Sequence, residues 1–450
     1  MTTKPGLSFF LILMLGVAPA AAARQTLQAL PELSSARLLN DLQCFVASPP
    51  GSGDSMTIGL VVRSGSAFDP ANKGGVAYLT ARMLGKSTLD RTSEDIRKEL
   101  DYLKATLEVQ SDWDGIRILL RGHSIAFERL LLLLYQIVCE AKFEEADFAA
   151  VRADLLAQLQ APEDARQRAR GLFEAELFRG TTYGRSMRGS PASVKNITAG
   201  DVRFFHRRHF SPDQASLVIV GSAPPELVLQ KTRRIWGVWV RGEEVPFTFL
   251  PPREPAARNI FLEDDPGSPA AQFILGNLWP GRGEPQFYPA MLAARILQER
   301  LTLALPTSLL TVAAEGRRLH GPMFIQGQAA ADQAIGEISR ILDAVEAFKA
   351  AGVSPEETAR VQAQWIDEFN RTTRTADGIC TLLLDAELYR LGINYLATFP
   401  DFVKRSTPAA IKEAANRYLL GGGLILIVRG PAATLKAQLD TLGTVQPLKR

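Results

Sequence analysis

Cysteine and histidine are scarce in this chain, at three and four residues in 450. Cys44, Cys139 and Cys380 lie far apart without metal-ligand spacing, and an odd count allows at most one disulfide. A disulfide-stapled scaffold and a cysteine-rich zinc module are thereby excluded. Cys139 falls in an apolar helical pattern and is expected to be a buried free thiol. The histidines add little. His123 and His320 stand alone, and the i, i+3 pair His206 and His209 sits beside Arg203, Arg207 and Arg208 without a third ligand. Zinc sites combine three or four ligands, so the expectation for that pair is a solvated helix face. No serine elbow of the form G-x-S-x-G occurs. Gly85-Lys86-Ser87 imitates the end of a phosphate loop, but the earlier glycine which that loop needs is replaced by Thr80.

An excess of charge of one sign is also missing. The 51 basic and 48 acidic residues leave a formal charge of +3, which argues for neither nucleic acid nor an anionic membrane as partner. Long apolar runs are few. Leu130 to Leu134 is bounded by Glu128, Arg129 and Glu140, far short of the ~20 residues of a membrane span, and is expected in a buried helix. The run Leu7 to Val17 follows Lys4 and precedes the small-residue stretch Ala18 to Ala23. A charged start, a short apolar stretch and an A-x-A site at Ala21-Ala22-Ala23 predict a cleavable secretory signal over residues 1–23. The expected location is therefore secreted or periplasmic, with no integral membrane span after cleavage.

What is present is a globular composition, 46% hydrophobic and 22% charged, in a chain too long for one ordinary core. An internal duplication organises it. Leu79-Thr80-Ala81-Arg82-Met83-Leu84 returns as Leu292-Ala293-Ala294-Arg295-Ile296-Leu297, and Ala150 to Ala153 parallels Arg360 to Ala363. Leu217 to Gly221 likewise parallels Ile425 to Val428, and the helical text Ile197 to Phe210 parallels Ser406 to Leu419. In the first half, Thr57 to Ser64 reads as a strand, and Thr106 to Arg121 as a hairpin turning at Asp112-Trp113-Asp114-Gly115. Ile125 to Lys142, Glu144 to Gln160 and Arg166 to Phe178 read as helices. In the second half, Gln272 to Leu278 reads as a strand. The proline-rich stretch 241–258 reads as a linker, so the expected organisation is a first domain at 24–240 and a second at 259–450. The fold class is α+β, with an antiparallel sheet and packed helices in each half.

The segment Gly74 to Thr88, GGVAYLTARMLGKST, resembles the zinc-binding helix of the insulinase-type (M16) metallopeptidases, whose signature is H-x-x-E-H. Phe178 to Gly184, Arg188-Gly189-Ser190, Val194 to Thr198 and His209 to Gly221 extend the resemblance across nearly the whole chain. It implies two homologous domains of the M16/LuxS-metallohydrolase type closing like a clam shell. It also implies a zinc site, and here that site is degenerate. The two histidine positions hold Tyr78 and Arg82, the general-base position holds Ala81, and the distal glutamate falls on or near Gln158. Arg82 has no lone pair to donate and repels a cation. Asp154 lies one turn before Gln158, so a charge pair between Arg82 and Asp154 is expected to fill the former metal pocket. In the second half the resemblance also implies a glycine-rich loop and a substrate-gripping Arg/Tyr pair. The loop is missing, the pair falls near Ala304 and Thr311, and nearby Arg300 carries no assigned role.

These expectations describe a non-catalytic M16-like protein without zinc, in a heterodimer with a catalytic M16 subunit or in a homodimer. Peptide or unfolded polypeptide is the expected ligand, and nucleic acid is not. Two alternatives stay open: a stand-alone peptide-binding scaffold, and a metallopeptidase with substituted ligands.

Overall fold

In the structure, a computed structural model, residues 31–49, 53–247, 249–306, 308–421, 423–446 and 448 are described, and the expected signal segment 1–23 lies outside them. Among these residues, twelve strands build two six-stranded sheets. The first contains β1 (Leu33–Arg37), β2 (Gln43–Ala47), β3 (Ser55–Val62), β4 (Thr106–Ser111), β5 (Ile116–His123) and β6 (Ala215–Gly221), in the order β1-β2-β6-β3-β5-β4. The second contains β7 (Asn259–Asp264), β8 (Ala270–Trp279), β9 (Thr311–Ala314), β10 (Gly321–Ala330), β11 (Ile425–Gly430) and β12 (Val445–Gln446), in the order β12-β7-β11-β8-β10-β9.

The duplication read from the sequence is thus repeated in topology. Strands β2, β6, β3, β5 and β4 correspond in order to β7, β11, β8, β10 and β9. The outer strands differ: β1 precedes β2 and runs antiparallel to it, whereas β12 follows the helices and runs parallel to β7. Each sheet is antiparallel except near this edge, where β6 returns parallel to β2 and β11 parallel to β7. A parallel neighbour needs a long crossover, and the intervening helices of each half supply it.

The local signals read from the sequence set the elements. Asp112 Oδ1 accepts the backbone N–H groups of Asp114 at 2.7 Å and Gly115 at 2.8 Å, turning β4 into β5. Thr92, Thr198 and Ser354 each start a helix with a capping box. The helix Phe127–Cys139 buries Leu130, Leu131, Leu133 and Leu134 and turns Leu132 outward. Among the described residues no helix is long and apolar enough to cross a membrane.

The two halves exchange a helix. Ala165–Leu177, from the first half, lays Ala169, Phe173 and Leu177 on Phe261, Ile274, Phe324 and Ile427 of the second sheet. Ala376–Leu388, from the second half, lays Ile379, Cys380 and Leu384 on Val61, Leu119 and Val218 of the first. Two glycines make room. A Cβ at Gly59 of β3 would stand 2.5 Å from Cys380 Sγ and 2.7 Å from Leu384 Cδ1, and one at Gly276 of β8 would meet both the Met323 carbonyl of β10, at 2.0 Å, and Phe173 Cζ, at 2.8 Å. Each sheet is therefore buried on both faces, once by its own helices and once by the partner half's.

Polar groups close the same boundary. Arg317, in the second half, sits 3.0 Å from Glu174 and 3.8 Å above the Trp113 ring, both from the first half. Arg117 of β5 reaches Asp385 at 2.8 Å, and Arg121 reaches Asp377 at 2.5 Å.

Candidate functional site

The helix Val76–Met83 is fixed at its start by a carboxylate. Asp69 accepts hydrogen bonds from the backbone N–H groups of Gly75 at 2.6 Å and Ala77 at 2.9 Å. Burial pushes the Asp69 carboxyl up to about 7, against these two donors and Arg185, which favour its charge. Gly75 enters the helix with φ +100°, and an added Cβ there would meet the Arg188 carbonyl at 2.7 Å. Apolar spacing buries Val76, Ala77, Leu79, Thr80, Ala81 and Met83, leaving Tyr78 and Arg82 at the surface edge. Ala81, where the resemblance leads one to expect the general base, is thus a methyl group inside the core.

The helix Glu145–Gln160 runs beside it, burying Phe148, Val151 and Leu155 and exposing Asp154 and Gln158. Arg82 Nη2 donates to Asp154 Oδ2 at 2.7 Å, and Gln158 Nε2 donates to the same oxygen at 2.9 Å. Arg188 Nη2 then donates to Gln158 Oε1 at 2.8 Å, and its guanidinium stands 5.8 Å from the Tyr78 ring centre. The structure brings together Tyr78, Arg82, Asp154 and Gln158, with Ala81 beneath, and adds Arg188, which the sequence reading had not singled out as a site residue. The pair is not buried: the Asp154 side chain is 53% exposed and that of Arg82 31%.

This donor set does not fit zinc. It offers two guanidinium groups, an amide, a phenol and one carboxylate already bonded twice. Among the described residues no group of three or more His, Cys, Asp or Glu side chains could hold a metal ion.

The second half repeats the arrangement. The duplication carries Arg82 onto Arg295 and Gln158 onto Glu368. Arg295 Nη2 lies 2.8 Å from Glu368 Oε2, and the guanidinium sits 5.0 Å from the Trp365 ring centre. The Arg295 side chain is only 7% exposed. An arginine held by an acceptor on the neighbouring long helix is thus common to both halves. Arg300 is bound to Glu357 at 2.8 Å and to the Gly352 carbonyl at 2.9 Å. Ala304 ends its helix and Thr311 opens the edge strand β9.

His206 and His209 depart from expectation. They do not form a solvated face. On the helix Ala199–His209, positions 202, 205, 206 and 209 share the inward face. His206 Nε2 donates to the Val138 carbonyl at 2.7 Å, and the ring stacks on Phe210. His209 packs against Phe68 and Phe205. Burial lowers both imidazoles to about 4. Arg203, Arg207 and Arg208 occupy the other side of the helix, which is why adjacency in sequence misled. His320 Nε2 lies 3.2 Å from Glu284, and His123 ends β5. All three cysteines are free, Cys44 and Cys380 buried and Cys139 partly so, and burial pushes the Cys44 thiol up to about 12.

Comparison with known families places the fold. The profile described as Insulinase (Peptidase family M16) matches residues 45–190, and that of the Peptidase M16 inactive domain matches 196–365. The chain belongs to the M16 family. The cytochrome b-c1 complex subunit 1 of Bos taurus is 23% identical over 282 residues, 62% of this chain and 58% of that protein. The mitochondrial-processing peptidase subunit beta of Bos taurus is 23% identical over 247 residues, 54% of this chain and 50% of that protein. The aligned stretches thus span about half the length of these M16 relatives. Among solved structures, a peptidase M16 inactive domain from Pseudomonas fluorescens superposes with a TM-score of 0.80 at 19% identity, covering 89% of this chain and 98% of that one. The periplasmic protease PqqL of Escherichia coli gives 0.77 at 14% identity, covering 96% of this chain and 48% of that one. At these identities the structural likeness speaks for the M16 fold.

Proposed function

We propose that this chain is a non-catalytic M16 protein of the periplasm or another secreted compartment, serving as the pseudo-peptidase subunit beside a catalytic, zinc-bearing M16 chain. One observation carries the reading. The helix face that presents zinc ligands elsewhere in the family is closed by Arg82, Asp154, Gln158 and Arg188, bonded to one another. Hydrolysis through zinc needs neutral imidazoles, a carboxylate ligand and a general base, and none of the four positions offers its group. The same arginine arrangement in the second half, at Arg295 and Glu368, supports reading the first-half helix as a structural version of the motif. Two relatives are named as subunits of larger assemblies, which supports a role in company. The PqqL likeness and the apolar Leu7 to Val17 run support the compartment.

The test is purification from the native source, with metal content and partners measured on the same sample. The proposal expects a complex in which a second M16 chain carries the zinc. Recovery of a zinc-free chain alone, binding peptide by itself, would replace the subunit role with that of a stand-alone peptide-binding protein. Stoichiometric zinc on this chain, with chelator-sensitive peptidase activity, would overturn both.

A further inference from the structure

The second half contains a cleft of about 430 Å³ that the M16 reading does not use. It opens between the turn after β8, the start of the helix Phe287–Ala304, the end of Tyr395–Lys404 and the helix Pro408–Tyr418. Arg282, Arg390, Arg405 and Arg417 line it, together with the aromatic rings of Tyr288 and Phe402. We propose that this cleft binds a small ligand carrying a phosphate or carboxylate group on a flat apolar body.

The charge in the cleft is not neutralised from within. Two glutamates also line it, Glu284 and Glu413, against the four arginines. Glu284 is engaged elsewhere: its Oε1 accepts the Gly281 N–H at 3.0 Å and lies 3.2 Å from His320. Among the described residues, Arg390, Arg405 and Arg417 form no ion pair. This sets them apart from Arg117, Arg300, Arg317 and Arg360, each of which is tied to an aspartate or glutamate.

Arg282 gives the site its direction. Its guanidinium is buried and held in one orientation by the rings of Phe287 at 4.4 Å, Tyr395 at 5.3 Å and Tyr288 at 5.7 Å. Nη2 donates to the Tyr395 hydroxyl at 2.5 Å. Nη1 is buried beside the Tyr288 side chain and is closed to solvent. Arg282 therefore contributes a fixed positive charge to the cleft wall, while the exposed Arg405 and Arg417 present the planar guanidinium groups that suit a carboxylate or phosphate edge. The apolar part of the ligand has a surface to meet: Tyr288 and Phe402 stack with ring centres 5.0 Å apart and planes 14° apart. This proposal is independent of the pseudo-peptidase role, since it rests on different residues in the other half.

Calorimetric titration of the intact mature chain with phenyl phosphate, benzoate and benzamide tests it. The expected result is saturable, salt-sensitive binding of at least one of the two anions and none of neutral benzamide at equal concentration. The stronger of the two anions assigns the ligand to the phosphate or the carboxylate class. Arg405 and Arg417 are exposed, so Arg405→Gln with Arg417→Gln should leave the thermal midpoint unchanged while weakening binding about tenfold. Absence of binding by both anions, equal binding of benzamide, or affinity unchanged in the double variant would overturn the proposal.

Discussion

Arg82 and Asp154, 72 positions apart in sequence, meet at 2.7 Å between the helices Val76–Met83 and Glu145–Gln160. The contact lies at the surface, and exposed ion pairs are worth about 0–1 kcal/mol. Arg82→Ala should therefore change unfolding free energy by less than about 1 kcal/mol. A double-mutant cycle with Asp154→Ala in urea checks this. A coupling of several kcal/mol would mean that the pair organises the site far more than its exposure allows.

If only side-chain identity denies the metal, restoring the side chains should restore it. The variant Tyr78→His, Ala81→Glu, Arg82→His, Gln158→Glu keeps every backbone position and replaces the four vacated roles. It should bind roughly one zinc per chain, the stoichiometry of a single catalytic site, while the parent chain binds none, as measured by elemental analysis after dialysis. Failure with the fold intact would show that Arg188 or the spacing of the two helices has also moved away from ligation.

The exchanged helices make a second kind of demand. Gly59→Val places branched carbon where Cys380 Sγ and Leu384 Cδ1 already stand within 2.7 Å of an added Cβ. Overpacking of this sort costs about 1–3 kcal/mol or more. Since the clash lies between the halves, the variant should also lose cooperativity, visible as separated unfolding transitions in calorimetry. Val61→Ala on the same strand should lower stability without separating them.

Legibility differed sharply between these features. The approach of Asp154 to Arg82 could be anticipated because the M16 resemblance set Gln158 opposite the helix that carries Arg82, and Asp154 lies one turn before Gln158 on the same face. Arg188 could not, because it reaches the site from a loop whose course depends on tertiary packing. The exchange of Ala165–Leu177 and Ala376–Leu388 was hidden for a related reason: periodicity tells which face of a helix is buried, never against which sheet. Glycines inside β3 and β8 were the available sign, since a strand interior glycine signals close approach of another segment. His206 and His209 were misread although the signal was present. Val202, Phe205, His206 and His209 follow one inward stripe, and the neighbouring arginines drew attention away from it.

Arg317 offers a test of the boundary between the halves. Its side chain is 4% exposed, and its guanidinium is shared by Glu174 and Glu315, with Trp113 beneath. Removing one partner of a buried pair typically costs about 3–5 kcal/mol because a charge is left behind. Arg317→Met should lie at the low end of that range, since Arg170 still neutralises Glu174 at 3.0 Å. Combining it with Glu174→Gln should recover part of the loss, read from urea midpoints. A double variant less stable than Arg317→Met would show that Glu174 is held by more than charge.

The buried histidines predict a dependence on pH whose sign follows from linkage. The ordinary imidazole value is 6.5, and in the folded chain His206 is lowered to about 4. The folded state therefore favours the neutral ring. Its contribution is fully present above pH 6.5 and is lost as pH falls from 6.5 toward 4. A shift of this size corresponds to roughly 3 kcal/mol at 1.36 kcal/mol per unit. Asp69 acts in the opposite sense over an overlapping range, because its carboxyl is raised to about 7 and its contribution is lost as pH rises. Comparing the native chain with His206→Phe cancels that effect, since Asp69 and His209 are common to both. Relative to the variant, the native chain should lose roughly 2–3 kcal/mol of stability between neutral pH and pH 4.5, measured by urea unfolding at both. Parallel stability curves across that window would mean that the ring is protonated in place, with the Val138 carbonyl as its acceptor.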